Sequence, residues 1–149
     1  MPLYIWFPFS TKCVSVPNDA TGSVGLTQRG CVNKTSQQWS FHALPEDAEW
    51  GRLVNGNSGL CMAVQNGWTS NGVAIVQEPC VSSDKAQHFT FTRNDNLPVG
   101  NYWLRVRQPG KAVNVSGAST ANGARLIQYP VQYAVNEYVM YRKACQVCP

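Results

Sequence analysis

The sequence predicts an all-β closed fold built from three copies of one unit, and three observations carry that prediction. The first is a repeated motif order. Cys61-Met62-Ala63-Val64 is followed by a turn at Ser70-Asn71-Gly72, by Ala74-Ile75-Val76-Gln77, by Pro79-Cys80 and by Gln87-His88-Phe89-Thr90-Phe91. Upstream the same order reads Cys13-Val14-Ser15-Val16, Thr21-Gly22, Cys31 and Gln37-Gln38-Trp39-Ser40-Phe41; downstream it reads Ala112-Val113-Asn114-Val115, Asn122-Gly123, Val131 and Glu137-Tyr138-Val139-Met140-Tyr141. The closing motifs begin at 37, 87 and 137, a period of 50. The second is the size of that period: one such unit cannot bury its apolar face alone, whereas three around an axis can. The third is local. Leu53-Val54 and residues 73–76, 102–106 and 126–129 are short, β-rich and broken by Gly, Pro, Asn or Ser, and helix signals are scarce. With four strands per repeat, about twelve strands are expected.

Taken in order, the apolar stretch 1–9 lacks a basic leader and carries Pro2 and Pro8, so it reads as the first strand and not as a signal peptide. Repeat one covers about residues 3–44, repeat two 50–92 and repeat three 102–141, with a short tail at 142–149. The polar connections 45–49 and 93–98 are too short for interdomain linkers, so one domain over 1–149 is expected. In each closing motif, Trp39, Phe89 and Val139 are equivalent, as are Phe41, Phe91 and Tyr141. Alternation sends both sets to one side of a strand, so both are expected in the core around the threefold axis.

Composition removes several function classes. A charged fraction of 13% against 44% hydrophobic and 11% aromatic residues excludes disorder. No run approaches the roughly 18 apolar residues of a spanning helix, so no membrane insertion is expected. The net charge of +4 is dispersed. Arg105 and Arg107, with Lys111 nearby, read as a solvated strand face, and no nucleic-acid partner is implied.

Gln-x-Trp with an upstream Cys-apolar-x-Val and an intervening turn resembles the ricin B-chain type (R-type) lectin domain, over nearly all of residues 4–141. That resemblance implies a β-trefoil. It also implies disulfides Cys13–Cys31 and Cys61–Cys80, each worth about 3 kcal/mol by loop entropy. Ala112 and Val131 replace both partners in repeat three, the paired loss that a bridge predicts. Disulfides imply an oxidising compartment, hence secretion or a periplasm. Cys145 and Cys148 lie outside the repeats and either pair with each other or stay free.

No catalytic constellation is present. Only His42 and His88 occur, Gly56-Asn57-Ser58-Gly59 is a turn and not a nucleophile elbow, and neither a metal nor a cofactor is expected. Binding is different. In the family each lobe can hold a sugar with a carboxylate two residues after the first cysteine position, an aromatic two before the second, and an amide just before the closing glutamine. Those groups bond paired hydroxyls and cover the apolar face of the ring.

Ser15, Arg29 and Ser36 in repeat one, and Ala63, Glu78 and Ala86 in repeat two, keep none of the three, so those lobes are expected to be silent. Repeat three has Asn114, Tyr129 and Asn136, with Ile127 beneath and Glu137 beside. The glycan implied is galactose or N-acetylgalactosamine, bound weakly because Asn114 lacks the usual charge. Trp68 in the loop of repeat two is a second candidate platform. The sequons at Asn33 and Asn114 add that a glycan on Asn114 would block this site. The expectation is therefore a secreted, non-enzymatic lectin module. Its rivals are a degenerate trefoil serving as a protein-binding subunit of a toxin-like assembly and a trefoil protease inhibitor.

Overall fold

The computed structural model describes residues 2–144. The chain runs through β1 (Pro2–Phe7), β2 (Lys12–Ser15), β3 (Val24–Gly25), β4 (Thr27–Gly30) and β5 (Trp39–Leu44) in repeat one. Repeat two supplies β6 (Asp47–Asn55), β7 (Cys61–Val64), β8 (Ile75–Glu78) and β9 (Phe89–Thr92). Repeat three supplies β10 (Tyr102–Val106), β11 (Ala112–Val115), β12 (Leu126–Tyr129) and β13 (Tyr138–Lys143). Antiparallel pairing links β1 to β5, β5 to β6, β6 to β9, β9 to β10, β10 to β13 and β13 back to β1. That circuit closes a six-stranded barrel with no free edge. The remaining pairs β2–β4, β7–β8 and β11–β12 are the outer hairpins, one per lobe. The arrangement is a β-trefoil.

Among the described residues thirteen strands stand where about twelve were expected. The addition is β3, in which Val24 and Gly25 pair with Gln77 and Val76 across the seam between lobes one and two. At the other two seams the contact shrinks to single bridges, Thr27 with Arg125 and Ala74 with Ile127. The connection expected at 45–49 is also shorter than read. Strand β5 turns at Pro45-Glu46 directly into the nine-residue β6, with a bulge at Ala43/Leu44.

The core repeats with the period. Val14, Met62 and Val113, then Val16, Val64 and Val115, then Leu26, Ile75 and Leu126 occupy equivalent places in one buried cluster with Trp39, Phe89 and Val139. The second set of closing aromatics departs from expectation. Phe41 and Phe91 are only partly buried against that cluster, and Tyr141 is 38% exposed. They sit two residues further along their strands, beyond the buried ring. There Phe91 packs against Tyr102 and Tyr141 at centroid distances of 6.2 and 4.5 Å.

A second threefold feature holds the lobes to one another. Gln28, Gln77 and Gln128 are equivalent and fully buried. Each amide donates two hydrogen bonds to carbonyls of a neighbouring lobe: Gln28 to Ser119 and Ala121, Gln77 to Ala20 and Gly22, and Gln128 to Trp68 and Ser70, all at 2.8–3.0 Å. A buried amide is stable only when so satisfied. The side-chain oxygens of Gln28 and Gln77 accept from Ser10 and Ser58, each at 2.8 Å. Pro109 stands at the third equivalent place, and Gln128 Oε1 has no partner among the described residues.

Candidate functional site

Two disulfides close the outer hairpins of lobes one and two, Cys13–Cys31 and Cys61–Cys80, with Cα separations of 5.2 and 5.0 Å. Cys145 and Cys148 lie outside the described residues. Lobe three closes its hairpin differently. Ala112 is buried among Leu97, Trp103 and Tyr138. The Trp103 indole lies 5.6 Å from the Tyr133 ring, and its Nε1 donates to the Gln132 carbonyl at 2.9 Å and to Glu137 Oε1 at 3.1 Å.

Strand register then fixes the outward face of this hairpin. Ala112 pairs with Tyr129 and Asn114 with Ile127, so alternation puts these four on one face, while Val113, Val115 and Leu126 point to the core and Gln128 to the neighbouring lobe. Asn136 enters from the 3-10 turn Val135–Glu137, and its Nδ2 donates to Asn114 Oδ1 and to the Val115 carbonyl, both at 3.0 Å. Asn114 is 4% exposed, which leaves no room for a glycan on its amide, whereas Tyr129 is 38% exposed. Asn114, Ile127 and Tyr129 thus share one face of the hairpin, with Asn136 bonded to Asn114.

Glu137 lies behind them and is fully buried. The closing residue does the same work in each lobe. Gln37 Oε1 accepts from Val32 N, Gln87 Oε1 from Val81 N, and Glu137 Oε1 from Gln132 N. In lobe one Gln37 Nε2 then donates to Ser15 Oγ and to the Gly30 carbonyl, and in lobe two Gln87 Nε2 donates to Glu78 and to the Pro79 carbonyl. By equivalence Glu137 Oε2 takes the place of that nitrogen. It is buried and has no hydrogen-bond partner among the described residues. Burial pushes the Glu137 carboxyl up to about 7, against smaller lowering by Gln132, Trp103 and Asn114. Burial thus favours the protonated form of this carboxyl.

Trp68 is not part of this cluster. It follows the 3-10 turn Gln65–Gly67 of lobe two and is 56% exposed, with its carbonyl held by Gln128. His42 is exposed, whereas His88 is buried with Nε2 against the Ser82 carbonyl at 2.7 Å, and Ser58 is engaged by Gln77. Arg107 is tied to Asp47 at 3.1 Å and lies over the Trp50 ring, and Arg105 donates to the Gly110 carbonyl. Among the described residues no cluster of three or more His, Cys, Asp or Glu could hold a metal, and no helix is long and apolar enough to cross a membrane.

The residues that the sequence reading missed are Trp103, which read only as part of a strand, and the three buried glutamines. Their signal was present, because 28, 77 and 128 fall at equal places in the three repeats.

A closed six-stranded barrel with three capping hairpins defines a β-trefoil. The model of the ricin-type β-trefoil lectin domain-like family matches residues 5–78 and 35–129, and the chain belongs to that family. No curated protein sequence matches the chain. Among solved structures, the designed threefold-symmetric protein ThreeFoil is 26% identical with a TM-score of 0.87, over 95% of this chain and 98% of that one. The exo-β-1,3-galactanase 1,3Gal43A from Clostridium thermocellum is 21% identical with a TM-score of 0.85; the match takes in 94% of this chain but 29% of the galactanase. A Polyporus squamosus lectin, solved with a sialylated epitope, is 12% identical with a TM-score of 0.78 over 95% of this chain and 48% of the lectin. At such identities the last two establish the shared fold.

Proposed function

We propose that residues 1–149 form one secreted, non-enzymatic carbohydrate-binding domain that recognises a galactose-type sugar through lobe three. The observation that carries this reading is the hydrogen bond between Asn136 and Asn114 on the hairpin that also carries the exposed Tyr129. The Tyr129 face covers the apolar face of the sugar ring. Asn136 offers its amide oxygen to a sugar hydroxyl, and the buried Asn114, whose Oδ1 holds Asn136, stands behind it with Ile127 as floor. Glu137 holds the loop from behind and does not touch the sugar. Membership of a lectin-like family and the two disulfides, which indicate an oxidising, extracellular-type setting, support the reading. The shared fold with part of a galactanase is consistent with it. Neutral amides in place of a carboxylate make the binding weak, with Kd of about 1 mM.

Titration of the full chain with galactose, followed by chemical shifts, tests this proposal. Tyr129→Ala removes the stacking face and should cost about 1 to 3 kcal/mol, abolishing detectable binding. Galactose binding that survives Tyr129→Ala would move the site elsewhere, first to the Trp68 loop. Silence on a glycan array together with a co-purifying protein would favour the second reading, a trefoil subunit in a larger assembly. One observation favours it: Val131, Tyr133 and Val135 are exposed beside Tyr129.

A further inference from the structure

Four Asn-Gly pairs occur in the chain, at Asn55-Gly56, Asn66-Gly67, Asn71-Gly72 and Asn122-Gly123. The pair is chemically labile: the nitrogen of the following residue can attack the carbonyl carbon of the asparagine side chain, and a glycine has no Cβ to obstruct it. As dipeptides the four are alike. What separates them is how the fold holds each amide and each glycine N–H.

Three pairs are restrained. The Gly56 N–H donates to the Gln38 carbonyl, the Gly72 N–H to the Gln128 carbonyl and the Gly123 N–H to the Gln28 carbonyl, each at 2.8 Å. Two of the side chains are engaged as well. The buried Asn55 donates from Nδ2 to the Ser36 carbonyl and accepts at Oδ1 from Asn57 N, both at 3.0 Å, and Asn122 Oδ1 accepts from Gly30 N at 2.9 Å. Asn66-Gly67 has neither restraint. Among the described residues its glycine N–H and its side-chain amide make no hydrogen bond, and both residues are exposed. Beyond its chain neighbours, a Cβ on Gly67 would meet only Ala86, at 3.9 Å, so the amide and water have room there.

The turn itself is common to the lobes. Consecutive left-handed residues stand at Asn18-Asp19, with φ of 55° and 52°, at Asn66-Gly67, with 55° and 65°, and at Gly117-Ala118, with 65° and 51°. Only lobe two meets that demand with asparagine followed by glycine. The Asn66 ψ of 13° turns the Gly67 nitrogen away from the side chain, so attack requires rotation about the Asn66 Cα–C bond. That rotation gives up the bond from Trp68 N to the Gln65 carbonyl, which is long at 3.2 Å. At Asn71 and Asn122 it would tear the attacking N–H itself from a 2.8 Å bond.

We propose that Asn66 is a site of spontaneous modification, at which water converts the side-chain amide to a carboxylate ahead of the other three pairs. The Gly67 nitrogen loses its proton and bonds to Asn66 Cγ, and the amide nitrogen leaves with that proton as ammonia. Water then opens the cyclic imide. Cleavage at Cγ yields aspartate, and cleavage at the Asn66 main-chain carbonyl yields isoaspartate; nothing is oxidised or reduced. Isoaspartate lengthens the main chain by one carbon between two anchors, Gln65 N on the Ala74 carbonyl at 3.0 Å and the Trp68 carbonyl under Gln128 Nε2 at 2.8 Å. The second anchor belongs to lobe three, so the change reaches the seam between lobes two and three.

The test ages the full, folded chain in mildly alkaline heavy-oxygen water, beside a portion reduced and unfolded in urea, and follows the four peptides by mass spectrometry. In the folded chain the Asn66-Gly67 peptide should take up label, with isoaspartate formed, about tenfold faster than the Asn71 and Asn122 peptides, the factor expected for one hydrogen bond that need not first be broken. In urea the four rates should converge. The Gln128 side-chain amide signals should move as the folded chain converts, and stay fixed in Asn66→Gln aged alongside. Equal rates at Asn66, Asn71 and Asn122 in the folded chain, a faster rate at any other pair, no conversion at Asn66, a ranking that persists in urea, or unmoved Gln128 signals in the converted chain would each overturn the proposal. None of these outcomes depends on sugar binding in lobe three.

Discussion

Lobes one and three place the same strands at the same register, yet they hold their outer hairpins by opposite means. In lobe one the Cys13–Cys31 bridge ties β2 to the end of β4, and Gln37 stitches the loop with a neutral amide. In lobe three the bridge is gone, and Trp103 and Glu137 share the task through the Gln132 peptide unit. A disulfide acts largely on the unfolded chain, by limiting its freedom. A packed indole acts on the folded state, through area and hydrogen bonds. The trefoil backbone therefore sets where the hairpin must be held and leaves open which chemistry holds it. That freedom carries over to the outward faces, where Arg29 stands in one lobe and Tyr129 in the other.

The largest expected effect breaks lobe three. Trp103→Ala removes a nearly buried indole and strands the Glu137 and Gln132 acceptors, at a cost of about 3 to 5 kcal/mol. Urea unfolding should show that loss; a cost below about 1 kcal/mol would mean the indole does not replace the bridge. Next is lobe one. The paired change Cys13→Ser with Cys31→Ser should cost about 3 kcal/mol. Measured beside Trp103→Ala, it tells whether the two fastenings are comparable, and a negligible loss would show lobe one secured by Gln37 alone.

Glu137 makes the closing residue of lobe three titratable, where Gln37 in lobe one is not. Its folded carboxyl sits at about 7, above the ordinary 4.5. Folding therefore favours the protonated form: the associated stability is complete below about pH 4.5 and is lost as pH rises through about 7. Glu137→Gln should remove that loss, making the variant more stable than the unchanged chain by about 3 kcal/mol at pH 8 and nearly equal to it at pH 4.5. Other groups titrate in the same interval, so the difference between the two proteins is the readout. An equal gap at both pH values would show that Glu137 does not carry the dependence.

The fold was legible because the period is strict. Trp39, Phe89 and Val139 fall at one place in each unit, as the cysteine pairs do in the first two, and a closed threefold barrel is the arrangement that buries the three closing residues. The thirteenth strand was not legible, since Val24-Gly25 pairs with β8 only because the seam between lobes one and two is closer than the others. Tyr141 was misplaced for a related reason: alternation gives the side of a strand but not how far along the axis the core extends. At the site, Asn114, Tyr129 and Asn136 could be placed by family positions. The restraint on Gly72 and Gly123 could not, because the Gln128 and Gln28 carbonyls reach their N–H groups from neighbouring lobes only once the trefoil has closed.

The smallest effect concerns where the charge in lobe three resides. The family pattern has a carboxylate at the position of Asn114 and an amide at that of Glu137, so this lobe has the two exchanged. If the change were simply a lost acceptor, Asn114→Asp alone would strengthen galactose binding. The structure argues otherwise. The Asn114 amide faces the Glu137 carboxyl closely enough to lower it, as Gln37 faces Ser15 in lobe one. A second buried acid there cannot ionise freely, because two like charges at that range raise one another. Asn114→Asp alone should therefore bring no gain at pH 7. With Glu137→Gln added, the carboxyl introduced by Asn114→Asp ionises, keeps the hydrogen bond from Asn136, and should improve galactose affinity by about 1 kcal/mol, roughly fivefold. Calorimetric titration of the single and double variants decides the matter: equal improvement in both would show that Glu137 and Asn114 are not coupled.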